Sequence, residues 1–398
     1  MNASARSDEP YALSVDRCVF TFVILLPLSP AEQQDFLEAC ALLGNSRVLA
    51  GGSHVEIALA APGEGVDGSS TLLLRQRTVD GGLRLDGTVI SNGMRSVRGM
   101  YGDGRCGPAG LDGNDNVIGP TESWGHDAFS LTSAAVASSV AEARYCLEQL
   151  VPGAAQPYLQ SAELRLQKVE FTRDILVTDA VEVAWRVSAA CMPGSYYLQR
   201  DVYPPRRATS DDRGMPVFRQ YETLSGPALK TYAKLPNLLR MEHAFEDREA
   251  IKTAGGALTA LLGDQGARDL LIQIAPFSTQ SLQALESLVR AAAASTASPA
   301  DLARALRPLL DIGESHGPRR GRPCSAATIA AANEAYNQLL RSGRCMAMGL
   351  DKDSPLRRAL DALVTDGTLQ FQRGRFAMYC LSPTLAGSLA PPVIFASA

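Results

Sequence analysis

Between Ala228 and Phe245 the chain reads ALKTYAKLPNLLRMEHAF, where a tyrosine stands between two lysines and an arginine precedes a glutamate by two positions. On a strand, side chains at i and i+2 point the same way. Lys230, Tyr232 and Lys234 then share one face, with Leu229, Ala233 and Leu235 on the other. In LLRMEHAF, Arg240 and Glu242 oppose Leu239, Met241 and Phe245. The design recurs in LQKVEF, where Lys168 and Glu170 oppose Val169 and Phe171, and in SHVEIAL, where His54 and Glu56 oppose Val55, Ile57 and Leu59. Any single strand of this kind is an ordinary solvated face with cross-strand ion pairs. Four of them, carrying three glutamates, a histidine and a lysine-bracketed tyrosine, point to a site.

These residue types suit one chemistry. Glutamates with a histidine can hold Mg2+ or Mn2+ against a phosphate, where the metal neutralises charge as a Lewis acid. A phenol in water ionises near pH ~10, so flanking ammonium groups favour the phenolate and help it attack phosphorus. Covalent phosphoryl transfer to DNA is the expected reaction. Tyr232 is the candidate nucleophile with Lys230 and Lys234 beside it, and Glu170, Glu242, Glu56 and His54 are candidate metal ligands. Arg240 and Lys168, on the same faces, are candidate DNA contacts.

The elements that must position these groups form an α+β pattern. VFTFVILLPL predicts an opening strand, and Ser29 with Glu32 at the capping-box position marks a helix start after it. From Gly63 to about Asp127 the chain is rich in glycine, aspartate and asparagine, with one expected strand, TLLLRQRTV. A helix follows in SLTSAAVASSVAEARYCLEQL, then strands in AELRLQKVEFTRDILV, VFRQYETL, LKTYAKL and LLRMEHAF. The expectation is a central antiparallel sheet with one working face, backed by helices, over residues 1–250. A helical segment is expected at 251–312, a Gly-, Pro- and Arg-rich linker at 313–323, a compact domain at 324–385 and a tail at 386–398.

In that compact domain, Ser354 and Pro355 are an N-cap and first helical residue, and Leu356, Leu360 and Leu363 share a helix face. Gly367 closes the helix, and TLQFQRGRFAMYCL predicts a hairpin with a two-residue turn at Arg373–Gly374. Helix, helix and a two-stranded wing is the outline of a winged helix. Its use on duplex DNA would bring Arg357, Arg358, Arg373 and Arg375 to phosphate or groove, with Arg319, Arg320 and Arg322 of the linker nearby in sequence. The alternative use is protein contact.

Composition narrows the partners. At 398 residues and 46% hydrophobic, the chain can bury more than one core. A net charge of −4 gives no global attraction for nucleic acid, so local basic patches must hold any such partner. Eight cysteines without a C-x-x-C pair, and four histidines, do not suit a zinc-ribbon array and fit a reduced, cytoplasmic protein. The run Val19–Leu28 is too short to span a bilayer, follows Asp8, Glu9 and Asp16, and precedes no small-residue cleavage site, so no membrane role is expected.

The sequence resembles the filamentous-phage gene II replication initiators and related phage and plasmid rolling-circle initiators, in order through most of the chain. HVEIALAA is similar to that family's V-E-I strand, LDGNDNVIGP to its G-H-N-V-F-G segment and LQKVEFT to its S-R-I-D strand. LKTYAKLPNLL is similar to the segment holding the nicking tyrosine in a Y-x-K setting, LLRMEHAFEDRE to an L-V-R-x-E strand, and NEAYNQLLRSG with SPLRRALDALVTDGTLQ to the C-terminal helical segment. The resemblance implies an enzyme that nicks one strand at an origin, keeps the 5′ end on Tyr232 and releases a 3′-OH primer. Lys234 would be the supporting lysine, with Glu170 and Glu242 in the acidic roles. It implies single-stranded and duplex origin DNA, a host helicase and a DNA polymerase as partners, in a bacterial cytoplasm. The chain lacks the H-x-H metal pair of the wider group, and His54 with Glu56 offers H-x-E instead. Asp115 is a ligand or a turn residue, and Tyr196, Tyr197 and Tyr221 are rival nucleophiles or packing aromatics. A non-enzymatic origin-binding protein is the competing expectation.

Overall fold

The computed structural model describes residues 13–43, 46–48, 54–59, 70–92, 110–111, 117–118, 128–160, 162–189, 197–203, 215–221, 226–254, 263–313, 324–347, 350–351, 353–372 and 377–389. In chain order the elements begin with β1 (Ser14–Leu26) and α1 (Pro30–Leu42). The Ser29 side chain caps α1, accepting from the Glu32 amide while Glu32 reaches back to the Ser29 amide at 2.8 Å, the expected capping box. Next come β2 (Ser46–Val48), β3 (His54–Leu59), β4 (Ser70–Val79), β5 (Gly82–Asn92), β6 (Gly110–Leu111), β7 (Val117–Ile118), α2 (Ala128–Leu150) and α3 (Gln156–Gln160). Then follow β8 (Arg165–Leu176), α4 (Ala180–Ala189), β9 (Tyr197–Tyr203), β10 (Met215–Tyr221), β11 (Ala228–Leu235) and β12 (Leu238–Phe245). Helices α5 (Arg248–Thr253), α6 (Gly263–Ala293), α7 (Pro299–Ala305) and α8 (Arg307–Leu310) precede α9 (Ala326–Ser342). The last elements are β13 (Arg344–Met346), α10 (Pro355–Thr365), β14 (Leu369–Gln372) and β15 (Met378–Leu381).

The protein is mixed α and β, and it divides into two compact units, each built from two stretches of chain. Met1–Asp174 joins His243–Gln280 in one, and Ile175–Glu242 joins Ser281–Ala398 in the other. The boundaries between these units fall within β8 and β12, while the sequence expectation set its first division at residue 250.

The first unit carries a large antiparallel sheet in the order β2-β3-β4-β5-β1-β8. Its β4–β5 hairpin turns on Asp80 and Gly81, with Val79 paired to Gly82. Gly81 has φ 90°, the conformation that an Asp-Gly turn needs. Strand β5 lies where the sequence pattern suggested irregular chain. Along β1, Cys18, Phe20, Phe22, Ile24 and Leu26 are buried, and β1 packs against α2, whose Val136, Val140, Ala143 and Leu147 are buried too. The Phe22 ring occupies the space a side chain at Gly87 would need, so the glycine lets an aromatic ring cross the sheet.

The second unit has the strand order β12-β11-β10-β9. Helix α4, absent from the sequence expectation, packs on β10 and β11 and starts with Asp179 accepting from the Glu182 amide at 2.8 Å. Arg186 of α4 donates to the carbonyls of Ala292, Ala293 and Ser295 at 3.1–3.3 Å, satisfying the end of α6.

A separate apolar core fills the C-terminal part of this unit. Leu339 of α9 and Leu356, Leu360 and Leu363 of α10 pack with Tyr379 and Leu381, and with Leu302, Leu306, Leu309 and Ile312. Residues 302–312, from the end of the expected helical segment, thus share this core. Ser354 caps α10, accepting from the Arg357 amide at 3.2 Å, and Gly367 ends it at φ +82°. A third strand joins the expected hairpin, giving the order β13-β15-β14. Gln372 pairs with Met378, so five residues separate β14 from β15 where a two-residue turn was expected. The linker residues 314–323 and the tail beyond Leu389 lie outside the described residues.

Candidate active site

The opening motif is the β11–β12 hairpin, and its turn is held by backbone. The Val177 amide donates to the Asn237 carbonyl at 3.0 Å and the Ala180 amide to the Pro236 carbonyl at 2.7 Å. Leu229 and Ala233 are buried on one face of β11, as the period of two requires. The opposite face brings Lys230, Tyr232 and Glu242 together. The Tyr232 hydroxyl donates to Glu242 Oε1, and Lys230 Nζ lies 3.7 Å from Glu242 Oε2.

Burial differs from the expectation. Lys230 is 7% exposed and Glu242 4%, so the ion pair is almost closed to solvent, whereas Tyr232 is partly open. All eight residues of β12 are buried, including Arg240 at 0%, so Arg240 does not present itself to DNA. Alternation assigns residues to a face but does not say whether that face is covered, and here it is covered.

The geometry also redistributes the lysine roles. With little water nearby, a carboxylate is stable as an anion only beside a cation or donors, and Lys230 and the Tyr232 hydroxyl supply both. Glu242 is then a charged acceptor aimed at the phenol proton, an arrangement that can serve general-base chemistry. Lys230 neighbours the Glu242 carboxylate, and through it the Tyr232 hydroxyl. Lys234 is half-buried further along the same strand face.

In the first unit, Lys168 Nζ lies 3.1 Å from Glu170 Oε1 and 2.6 Å from Glu246 Oε2. Glu246, the residue just after β12, was not anticipated. Only its acidic character near LLRMEHAF could have suggested it. Glu170 is 7% exposed, and Arg17 of β1 is its cross-strand partner. The neighbouring Cys18 thiol is pushed far above its usual range, first by burial and then by the Glu170 charge, so it is an inert thiol. Thr172 and Asp174, further along β8, are also fully buried.

Each expected carboxylate ligand has a partner within its own unit. Glu170 faces Lys168, Glu242 faces Lys230 and Tyr232, and Glu56 pairs with Arg47, its cross-strand neighbour on β2. His54 sits two residues before Glu56 on β3. Among the described residues no group of three or more His, Cys, Asp and Glu side chains is placed to hold a metal ion. The carboxylates are satisfied by lysine, arginine and hydroxyl partners, so no chemical step is assigned to Mg2+ or Mn2+.

Of the expected DNA contacts, Arg358 is exposed on α10. Arg357 is not available in the same way. Its guanidinium lies 4.8 Å from the Phe371 ring centroid and 5.1 Å from that of Tyr379, and its Nε donates to Asp361 at 3.2 Å. Tyr379 donates to the other Asp361 oxygen at 2.5 Å, which completes a structural cluster. Arg319, Arg320, Arg322, Arg373, Arg375, Asp115 and Tyr196 lie outside the described residues. Tyr197 and Tyr221 are cross-strand Cα partners on β9 and β10, and their side chains lie outside the described set.

No family model matches the chain, and no curated protein does. A solved structure, the crystal structure of the di-domain ARO/CYC StfQ from the steffimycin biosynthetic pathway, aligns over 61% of this chain and 75% of its own at 13% identity and a TM-score of 0.20. So low a score carries no statement about fold or activity. No helix among the described residues is long and apolar enough to cross a membrane.

Proposed function

We propose that this chain is a replication initiator that nicks and rejoins one strand of origin DNA through Tyr232. The observation that carries the reading is the bond from the Tyr232 hydroxyl to Glu242, a buried carboxylate beside Lys230. In this reaction Glu242 takes the phenol proton, the phenolate oxygen attacks a backbone phosphorus, and the P–O3′ bond breaks. The 5′ phosphate stays on tyrosine, and the departing O3′ takes a proton to become a 3′-OH that a DNA polymerase extends and from which a helicase unwinds the duplex. Attack of that 3′-OH on the phosphotyrosine reverses the step and joins the strand. Partial exposure of Tyr232 supports the reading, because the nucleophile must reach a polymer while its base stays dry.

The C-terminal module takes the winged-helix role in this proposal, with Arg358 as its exposed cation on α10. The helix–strand–helix–strand–strand order and the sheet order β13-β15-β14 support it.

The test is incubation of the full chain with labelled single-stranded origin oligonucleotides, with Mg2+, with Mn2+ and with EDTA. A covalent adduct on a denaturing gel that vanishes in Tyr232→Phe is the expected result. Salt-sensitive origin binding with no adduct under any of these conditions would replace the enzyme with a non-catalytic origin-binding protein.

A further inference from the structure

Within the first unit, Thr21, Phe22, Val23, Glu163, Arg165 and Arg248 line a cavity of about 270 Å3. Thr21 and Arg165 are cross-strand partners on β1 and β8, and Arg248 opens α5 directly after Asp247 caps it. Arg248 Nη2 donates to Thr21 Oγ1 at 3.3 Å, while its Nε is buried with no hydrogen-bond partner among the described residues. Arg165 Nη2 donates to Glu163 Oε2 at 3.0 Å, with both side chains about half exposed. Two guanidiniums therefore meet one carboxylate, leaving an excess of one positive charge at the lining.

A buried guanidinium N–H without an acceptor is costly, and a guanidinium fork matches the oxygens of a phosphate. The cavity is near the lower end of the roughly 300–1,000 Å3 range of small-molecule pockets, too small for a large cofactor. Val23, 54% exposed, adds an apolar edge of the kind a sugar can lie against.

We propose that this cavity is a phosphate-binding subsite for the backbone of single-stranded DNA. Arg248 and Arg165 hold the anion, Thr21 fixes the Arg248 head, and Glu163 is the group the phosphate displaces from Arg165. The identity of the strand rests on the nicking reading, and the anion chemistry does not.

The experiment uses the full chain and a fluorescent oligothymidylate with no origin sequence, over a salt series, with inorganic pyrophosphate as competitor. Arg248→Gln and Arg165→Gln should each weaken oligonucleotide binding about tenfold and make the slope of log K against log salt shallower by about 0.7, the value for one lost single-strand phosphate contact. Glu163→Gln removes the competing carboxylate and should tighten binding by about threefold or more. Wild-type affinity and slope in all three variants would overturn the subsite. Should Arg248→Gln fail to fold, the two half-exposed positions decide, since opposite signs at Arg165 and Glu163 are expected only of an anion site. Pyrophosphate binding that depends on both arginines, with oligonucleotide binding that does not, would assign the cavity to a free phosphate compound and overturn the strand assignment. Absence of any adduct on wild-type protein, with arginine-dependent oligonucleotide binding intact, would remove the nicking reading and leave the subsite standing.

Discussion

The Tyr232 hydroxyl donates to Oε1 of Glu242 across the β11–β12 hairpin, so the candidate nucleophile already points its proton at a buried base. Replacing the base by an amide keeps an oxygen acceptor but no negative charge. Glu242→Gln is expected to slow adduct formation by about 10²–10⁴-fold per folded molecule, the usual worth of general-base catalysis, and to lower stability because Lys230 is left buried and charged. Tyr232→Phe should abolish the adduct completely, since no other group replaces a lost nucleophile. Quantified adduct per minute on denaturing gels separates the two, and equal loss in both variants would show that Glu242 does more than accept a proton.

Lys230 and Glu242 are both nearly closed to solvent, so removing one partner leaves the other buried and charged. Lys230→Met should destabilise the fold by about 3–5 kcal/mol, and adding Glu242→Gln should recover part of that loss. Urea unfolding of the wild type, the two single variants and the double variant measures the coupling. Strict additivity would mean the 3.7 Å pair contributes nothing as a pair.

Period-two alternation was enough to place Lys230, Tyr232 and Glu242 on one face, because that property is local. Likewise Ser29, Pro30 and Glu32 announce α1 through hydrogen bonds within four residues. What was not legible depends on distant chain. The burial of Arg240 follows from what covers the sheet, and the discontinuous units follow from pairings far apart in sequence. Strand β5 was legible in principle from Asp80–Gly81 between two alternating runs. The surrounding glycines, among them Gly82 and Gly87, masked it by lowering apparent strand propensity. The partner of Lys168 at Glu246 lies 78 residues away, a distance over which no sequence spacing rule operates.

A Gly-, Pro- and Arg-rich linker at 313–323 would by composition permit a clean cut near Gly317, but the C-terminal core spans it. Leu302, Leu306 and Leu309 are at most 1% exposed, and they pack with residues beyond the linker such as Leu339 and Leu360. A chain ending at Gly317 would leave these leucines without partners, at about 1.5–3 kcal/mol of lost burial for each. Truncation should therefore raise dye binding to apolar surface and lower the melting temperature. A truncated protein as stable as the full chain would show that residues 302–312 find another core.

Gly87 is expected to tolerate no side chain, because an added Cβ would sit 1.9 Å from the Phe22 ring. Gly87→Ala should cost about 1–3 kcal/mol by overpacking, and Phe22→Leu in the same chain should relieve it. Thermal unfolding of the single and double variants checks this. An additive double variant would mean the strain is in the backbone and not between these two groups.

His243 gives the chain a pH dependence with a definite sign. Its ring is buried between Phe245 and Phe277, at 4.7 and 5.5 Å between centroids, and its Nδ1 lies 3.1 Å from Ser278 Oγ. Burial disfavours the imidazolium and lowers the folded-state value from 6.5 to about 3. Between those values the unfolded chain binds a proton that the folded chain refuses, so unfolding is favoured as pH falls. The stabilisation is fully present above pH 6.5 and is lost on the way down to about pH 3, at about 1.4 kcal/mol per pH unit in the steep part of the window. Urea unfolding at pH 7.5 and pH 5 should show the wild type weaker at the lower pH. His243→Gln keeps a polar partner for Ser278 and removes the titrating group, so the difference between the two pH values should shrink by about the same amount per unit. An unchanged difference in His243→Gln would assign the acid sensitivity to the carboxylates, which bind protons at lower pH.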